Sequence, residues 1–306
     1  MSLKDKLRKN TPVALLNLYR AYKKAKVNKS LKKQKELGKS WTKIDLLNHL
    51  KAMGVKEGDN LLVHSSLSKI GHVSGGPVTV IEALIECVGK NGNLLMPNSP
   101  NASLQLDYVK NLDVFDVQKS KSALGAITEC FRNWPGTKRS LHPTEPVSCL
   151  GPKAEYFTSN HYKDLTPYAD NSPWMKFAKE GGKILYIGVT LDNAGTSLHC
   201  LEDAIDEFKY PVYYKDAFKV SLIDDKGEKM EMITKVHNPV FSAHRKCDGL
   251  IPGFVRNEVA FKLTFGNAPT LVFDSSKMLD YMIEEYQSKG VTMYTPNGET
   301  IAGWEE

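Results

Sequence analysis

The 306-residue sequence has few cysteines, no long apolar run and neither of the common glycine-rich nucleotide-binding motifs. Its five cysteines are odd in number and form no C-x-x-C, which argues against a disulfide framework or a structural zinc site. No stretch of about 18 apolar residues exists, and the start lacks the apolar segment of a signal peptide. We therefore expect a cytoplasmic protein that does not span a membrane.

Acidic residues are scarce in residues 1–39, but they outnumber the basic residues in the rest of the chain. Residues 1–39 hold 13 lysines or arginines against two acids, a net charge of +11, whereas the rest holds 28 basic and 33 acidic residues. A mildly acidic body repels a polyanion and attracts a cation. The charge distribution therefore predicts a small-molecule partner rather than nucleic acid.

The basic arm, residues 1–40, contains a helical pattern. Thr11 and Pro12 are suited to the N-cap and first position of a helix, and four apolar side chains then recur on one face: Leu15, Leu18, Tyr19 and Tyr22. Two interpretations remain open. The arm is a helix packed on the domain and followed by a solvated basic connector, or residues 1–39 lie on an anionic membrane surface or on a partner.

Residues 41–306 alternate short apolar runs with helical patterns and are expected to form one domain. We predict buried strands at 60–63, 93–96 and 183–189, each followed by a helix, then a hairpin at 217–236 and a closing helix at 275–289. Such alternation is typical of an α/β sandwich with parallel strands, whose ligands bind at the carboxyl ends of the strands.

The first polar loop that follows a predicted strand is VHSSLSKIGHVSGGP, residues 63–77. Hydroxyls and glycines that lead into a helix can bind phosphate through free N–H groups and the helix dipole. The loop matches neither G-x-G-x-x-G nor a P-loop, and polar Gly-Ser loops are common. Phosphate binding and an ordinary surface loop both remain possible on this evidence.

Two later loops contain histidines. His142 precedes a proline, which holds it extended, although a histidine in a turn is often only structural. His199 follows the strand at 183–189 in the first turns of a helix, and Glu202 at i+3 can meet it on one face. A carboxylate beside a histidine fixes its tautomer and raises its basicity, so this pair is a candidate general base.

Metal binding and cysteine catalysis are rival interpretations of these residues. His142, His199 and Cys200 could bind a metal, but no ligand spacing typical of zinc sites is present, so we expect no metal. Cys200 could be a nucleophile, yet its side chain points about 100° away from that of His199 on a helix. We expect Cys200 to be a buried core residue.

Taken in order, these loops resemble the antibiotic N-acetyltransferase family, typified by the aminoglycoside 3-N-acetyltransferases. The matching stretches are LLVHSSLSKIGHVSGGPVTVIEAL, GNLLMPN, GAITECFRNWPGTKRSLHP, SPWMKFAKEGGKILYIGV and GTSLHCLED, with GNAPTLVFD near the end. The main matches lie within residues 41–210. Five ordered motifs make a chance match implausible.

The resemblance implies an α/β/α sandwich distinct from the Gcn5-related fold, and acetyl-CoA as the cosubstrate for acetylation of an amine. It implies that His199 is catalytic, with Glu202 as a nearby acid and His142 in the same cleft. It also implies a coenzyme A site on the first polar loop, at Ser65, Ser66, Ser68, Gly75, Gly76 and Thr79. The turn before His199 is one residue longer than is typical of the family, which leaves the role of Asp192 open.

Three functional hypotheses follow from the residues and the resemblance. The enzyme acetylates an aminoglycoside, or it acetylates an endogenous amino sugar of surface polysaccharide synthesis, which the basic arm suits. Alternatively, the protein binds coenzyme A but is catalytically silent. In either enzyme His199 removes a proton from the amine, which attacks the thioester directly, and groups around Ser65–Ser68 stabilise the oxyanion.

Overall fold

The computed structural model describes residues 13–101, 104–301 and 303–304. The predicted N-cap at Thr11 and Pro12 lies outside these residues. The first described element is helix α1 (Val13–Glu36), and α2 (Lys43–Ala52) follows it. Thr42 caps α2 as predicted: its hydroxyl accepts from the backbone N–H of Asp45, and the Asp45 carboxylate accepts from that of Thr42.

A mixed sheet of seven strands forms the centre of the domain. Its strands are β1 (Asn60–Ser65), β2 (Asn93–Pro97), β4 (Lys138–Arg139), β5 (Val147–Leu150), β6 (Lys183–Ile187), β9 (Ala260–Phe265) and β10 (Ala268–Asp274). Their order is β4-β5-β2-β1-β6-β10-β9. Only the central three, β2, β1 and β6, are parallel, and the flanking pairs are antiparallel. The parallel strands predicted from sequence are therefore the core of a mixed sheet.

The remaining elements connect these strands or pack on them. The helices are α3 (Leu67–Ile70), α4 (Pro77–Val88), α5 (Gln105–Lys110), α6 (Ala126–Arg132), α7 (Ala154–Thr158), α8 (Pro173–Glu180), α9 (Leu191–Ala194), α10 (Cys200–Ala204), α11 (Pro239–Ser242), α12 (Ile251–Arg256) and α13 (Ser275–Lys289). Short 3-10 turns lie at His161–Lys163, Thr196–His199 and Cys247–Leu250.

Helices cover both faces of the large sheet. Successive side chains of β1 point to opposite faces, so Leu61 joins the core formed with α2 and α4, whereas Leu62 joins the core formed with α8 and α13. Trp174 and Phe177 on α8 are among the largest fully buried side chains of the second core. The chain thus forms the predicted α/β/α sandwich.

A second, smaller sheet has the order β3-β7-β8, from β3 (Val114–Asp116), β7 (Phe218–Ile223) and β8 (Lys229–Thr234). β7 and β8 are antiparallel and form the predicted hairpin insertion. Phe115, Val220 and Leu222 bury their side chains in a separate core. This sheet brings the segment after β8 to the carboxyl ends of the central strands.

Two predicted boundaries differ from the structure. The strand predicted to reach Val189 ends at Ile187, because Gly188 has a φ of +66° and lies so close to Lys69 that a Cβ atom would be 2.4 Å from that of Lys69. The helix predicted from Ser122 begins at Ala126 instead. Ser122 lies ahead of the helix, where its N–H donates to the Glu129 carboxylate and its hydroxyl bonds to that of Thr128, both within α6.

From Val13 to Glu36 the arm is one continuous helix rather than a helix and a connector. Its apolar side chains are exposed, with 57% of Leu15, 72% of Leu18, 55% of Tyr19 and 65% of Tyr22 accessible. The interpretation of this face as packed on the domain is therefore wrong. Near its end, Gln34 accepts a hydrogen bond from the His72 N–H (2.9 Å). Among the described residues, no helix is both long and apolar enough to cross a membrane.

Candidate active site

A cleft of about 290 Å³ lies at the carboxyl ends of the parallel strands. β1 contributes His64 and Ser65, β2 ends at Pro97, and Val189 follows β6. Glu145 precedes β5 and Arg245 follows α11 on the far side. Ligand sites of open α/β sheets form at this edge, because the loops after neighbouring parallel strands diverge there.

His199 and Glu202 meet beside the cleft as the i, i+3 spacing predicted. His199 ends the 3-10 turn and Glu202 lies in α10, and His199 Nδ1 lies 3.0 Å from Glu202 Oε1. His199 is 1% exposed and Glu202 is 4% exposed. The Nδ1–H donates to the carboxylate, which leaves Nε2 as the basic nitrogen.

Glu202 accepts two further hydrogen bonds from distant parts of the chain. His237 Nε2 lies 2.7 Å from Oε2, and the Tyr294 hydroxyl donates to Oε1 at 2.7 Å. Burial alone raises the pKa of Glu202, but the two imidazoles lower it below its usual range through their charges and hydrogen bonds. One buried carboxylate therefore stays ionised and orients two histidines.

Arg245 completes the cluster on the other side of His199. Its Nη1 lies 2.9 Å from His199 Nε2, so the guanidinium donates to the nitrogen that Glu202 leaves basic. Burial, opposed by Glu202 and assisted by His237 and Arg245, lowers the pKa of His199 to about 4. His199 is consequently neutral at physiological pH.

Aromatic rings fix both imidazoles. Tyr168 stacks on His199 at a centroid distance of 5.1 Å and contacts His237 at 5.6 Å. Tyr213 stacks on the other side of His237 at 5.0 Å, and its hydroxyl donates to Asp203 at 2.7 Å. The rings hold the histidines in position and exclude water from the Glu202 carboxylate.

Glu145 places a second carboxylate in the wall of the cleft. The Gln105 amide donates to its Oε1 (2.6 Å), and the Gln105 carbonyl oxygen accepts from the His237 backbone N–H (3.0 Å). Burial raises the pKa of Glu145 to about 7, although the Gln105 hydrogen bond and the charges of His237 and Arg245 oppose this. Glu145 can therefore gain or lose a proton near neutral pH.

The cluster also brings together three side chains of the types that bind metal ions. Ligand atoms of His199, Glu202 and His237 lie within 4.8 Å of one another. Hydrogen bonds already account for these atoms, and the Arg245 guanidinium beside His199 opposes a nearby cation. The geometry favours a hydrogen-bonded cluster over a metal centre.

His142 does not join this cluster, contrary to the expectation that it lies in the same cleft. It is fully buried, its ring stacks on His161 at 4.3 Å, and its Nδ1 accepts from the Glu145 backbone N–H at 3.2 Å. It is not among the described residues that line the cleft. Its ring nitrogens also lie 3.4 Å from the hydroxyls of Thr144 and Thr234, and burial lowers its pKa well below the ordinary value. His142 therefore supports the loop that carries Glu145.

The residues predicted to bind coenzyme A occupy one stretch between β1 and α4. Ser65 lines the cleft, Ser66 precedes α3, and Ser68 is exposed. Gly75 and Gly76 both have positive φ angles and open α4, where the Thr79 hydroxyl donates to the Ser74 carbonyl oxygen at 2.6 Å. Of the six, only Ser65 is among the described cleft-lining residues.

Four residues of the site could not be identified from the sequence: His237, Arg245, Tyr294 and Glu145. His237 and Tyr294 lie 35 and 92 residues from Glu202, and Arg245 lies 46 from His199. None belongs to a motif with a recognisable spacing, so no local pattern links them to His199. Cys200, by contrast, is fully buried as expected, and burial raises the pKa of its thiol.

Several curated proteins resemble part of the chain. It is 32% identical to aminoglycoside N(3)-acetyltransferase VIII of Streptomyces fradiae over 170 residues, which cover 51% of this chain and 59% of that protein. It is 31% identical over 177 residues to a SPbeta prophage-derived aminoglycoside N(3')-acetyltransferase-like protein of Bacillus subtilis, covering 53% and 64%. The chain spans about three fifths of the length of these relatives.

Solved structures match over more of the chain. AAC-IIIb in binary complex with CoASH is 27% identical, with a TM-score of 0.68 over 81% of this chain and 97% of that one. Aminoglycoside acetyltransferase AAC(3)-Xa, at 23% identity, has a TM-score of 0.72 over 86% and 98%, which supports the fold. The family model of aminoglycoside 3-N-acetyltransferases matches residues 62–287. The chain therefore belongs to the aminoglycoside 3-N-acetyltransferase family.

Proposed function

We propose that the protein transfers the acetyl group of acetyl-CoA to a primary amine of an aminoglycoside or a related amino sugar. The observation that carries the proposal is the buried His199–Glu202 pair beside a cleft at the carboxyl ends of β1, β2 and β6. The CoASH complex of AAC-IIIb supports acetyl-CoA as the cosubstrate, since that protein shares the fold at 27% identity.

In the proposed reaction the amine nitrogen bonds to the thioester carbonyl carbon, and the carbon–sulfur bond breaks. The proton that the amine must lose passes to an imidazole, and the imidazolium then gives it to the departing coenzyme A sulfur, which leaves as the thiol. We assign the proton-accepting role to His199, because Glu202 fixes its Nδ1–H and leaves Nε2 basic. For this, the amine must replace the Arg245 N–H that now bonds to Nε2.

One observation favours His237 as a second candidate for the base. Its Nε2–H donates to Glu202, and its Nδ1 is buried with no hydrogen-bond partner among the described residues. His237 lines the cleft, whereas His199 is not among the described lining residues. The same carboxylate orients both imidazoles, so either His199 or His237 can accept the proton of the amine.

Ser65 is the proposed donor to the developing oxyanion. Its hydroxyl is buried, lies at the cleft and has no hydrogen-bond partner among the described residues. The neighbouring Ser66 N–H is already used, since it donates to the Ile187 carbonyl oxygen at 2.9 Å. A donor placed at the thioester oxygen stabilises the tetrahedral intermediate, in which that oxygen becomes anionic. Ser66, Ser68, Gly75, Gly76 and Thr79 are proposed to hold the remainder of coenzyme A.

The second candidate acceptor is an endogenous amino sugar of surface polysaccharide synthesis. The exposed apolar face of α1 and its lysines favour a function near an anionic membrane. We propose that residues 1–40 form an arm for peripheral membrane contact and that residues 41–306 form the acetyltransferase domain.

The experiment that tests the function measures thiol release from acetyl-CoA with a panel of amines. Acetyl-CoA-dependent release that requires an amine, with the acetylated product identified by mass spectrometry, is the expected result. Binding of coenzyme A by calorimetry without turnover on any amine would instead indicate the catalytically silent relative. Failure to bind coenzyme A would contradict both.

A further inference from the structure

The cleft wall carries few charged side chains. Among the described residues that line the cleft, Glu145 is the only carboxylate, and Arg245 supplies one positive charge. The described wall therefore offers a single carboxyl group that can pair with a cation, together with one guanidinium.

The other nearby acids are already engaged. Glu202 accepts from His199, His237 and Tyr294. Asp203 accepts from the Tyr213 hydroxyl (2.7 Å) and from the Thr166 hydroxyl (2.9 Å). Neither is among the described cleft-lining residues. Extra ammonium groups that entered the cleft would lose part of their hydration without gaining a carboxylate, which is unfavourable.

Glu145 is held in a fixed position for one ammonium group. Besides its bond from Gln105 (2.6 Å), its backbone is fixed on both sides: its N–H donates to His142 Nδ1 (3.2 Å), and its carbonyl oxygen accepts from Trp174 Nε1 (3.3 Å). Gln105 also bonds to the His237 backbone, so the carboxylate is tied to the segment that bears an imidazole of the cluster. An ammonium bound by Glu145 is thereby positioned relative to that imidazole.

The rest of the wall suits hydroxyl groups. Neutral polar side chains supply much of it: Ser65, Ser99, Gln105, Thr128, Asn193 and Thr196. The volume of about 290 Å³ is at the small end of the range for ligand sites. A sugar ring with several hydroxyls and one amine matches this surface in polarity and in size.

From these features we infer that the acceptor is a sugar with a single amine, and that Glu145 binds its ammonium group before the proton is removed. The inference rests on the proposed acetyl transfer and narrows its acceptor. Both a free amino sugar and a nucleotide-linked amino sugar present this chemistry, and they are distinguished by experiment.

The test compares kcat/KM of the full chain for two groups of acceptors at saturating acetyl-CoA. One group is hexosamines with the amine at different ring positions, each free and linked to a nucleoside diphosphate. The other is the polyamines sisomicin, gentamicin and apramycin. We expect at least one monoamino sugar to exceed every aminoglycoside by about 100-fold, since unpaired ammonium groups are rejected. The better of the free and linked forms identifies the source.

A variant then tests the role of Glu145. Glu145→Gln keeps the size and the Gln105 hydrogen bond but removes the charge, so KM for the preferred sugar should rise about 10- to 100-fold. Glu228→Gln, on an exposed turn of the β7–β8 hairpin, is the matched control and should leave KM unchanged.

Two results would overturn the inference while the proposed function stands: an aminoglycoside used as efficiently as the best monoamino sugar, or an unchanged KM in Glu145→Gln. Absence of thiol release with every amine, despite coenzyme A binding, would contradict the proposed function itself and the inference with it.

Discussion

At the scale of single residues, one ring nitrogen of His199 faces a hydrogen-bond acceptor and the other faces a donor. Glu202 holds Nδ1 protonated, whereas Arg245 covers Nε2 with a donor 2.9 Å away. Burial keeps the imidazole neutral although Glu202 opposes this, and its Nε2 can accept an incoming N–H group in place of the guanidinium. A substrate amine that displaces Arg245 would meet a base already in the required tautomer.

We predict that His199→Ala lowers the turnover number for thiol release by about 10²- to 10⁴-fold, the usual contribution of a general base. His237→Ala, measured in parallel, shows which imidazole accepts the proton, and His244→Ala at an exposed histidine is the control. Near-normal turnover by a well-folded His199→Ala protein would exclude His199 as the base.

Glu145 should make the stability of the protein depend on pH. Because burial raises its pKa from 4.5 to about 7, the favourable contribution of its protonated form is fully present below about pH 4.5 and is lost as the pH rises through 7. Glu145→Gln removes this titration. The variant should therefore gain stability relative to the unmodified protein between these pH values, by up to about 3 kcal/mol.

Urea unfolding of both proteins from pH 4.5 to pH 8 measures this difference. Glu228→Gln on the exposed hairpin turn is the control and should follow the unmodified protein at every pH. A constant difference between Glu145→Gln and the unmodified protein across the range would contradict the raised pKa.

At the scale of elements, short segments position the site. The turn at Gly188 ends β6, and the chain then passes through α9 and the 3-10 turn before α10. The 3-10 turn and α10 together span only nine residues, yet they carry both His199 and Glu202. Side chains three residues apart on such a segment face the same side, so the pair forms locally.

The capping box of α2 provides a test of element stability. Thr42→Ala removes the hydroxyl that accepts from the Asp45 N–H, so the free energy of unfolding should fall by about 1 kcal/mol. Thr42→Ser keeps the hydroxyl and should retain most of the stability. Equal denaturation midpoints for Thr42→Ala and the unmodified protein would show that the cap contributes little.

At the scale of the whole molecule, the basic arm has a net positive charge, whereas residues 41–306 have a net negative charge. α1 carries exposed apolar residues near its start, and Gln34 near its end contacts the domain through His72. A basic helix with an exposed apolar face gains free energy on an anionic lipid surface from both burial and charge.

We therefore predict that the full chain binds vesicles containing anionic phosphatidylglycerol in a sedimentation assay, and that high salt weakens the binding. Removal of residues 1–30, which keeps the Gln34 contact, should abolish binding without changing thiol release. Neutral phosphatidylcholine vesicles are the control. Equal sedimentation of the full and shortened chains would exclude the arm as a membrane contact.

The sequence by itself determined the layered α/β architecture, most element positions and the His199–Glu202 pair, because these depend on local periodicity and short spacings. It also carried the ordered motifs by which the family was identified. The exposed apolar face of α1 could not be predicted, since a helical period shows which residues share a face but not what covers them.

Only the tertiary structure decided which distant groups share the site. His237, Arg245 and Tyr294 reach His199 and Glu202 because the small sheet and the final segment fold over the carboxyl ends of the central strands. The same folding buried His142 against the backbone of Glu145. It also made Glu145 the only carboxylate among the described residues of the cleft wall. The pKa and the charge of a titratable side chain depend on its burial and on its contacts with residues far apart in the chain. No local sequence pattern predicts these contacts.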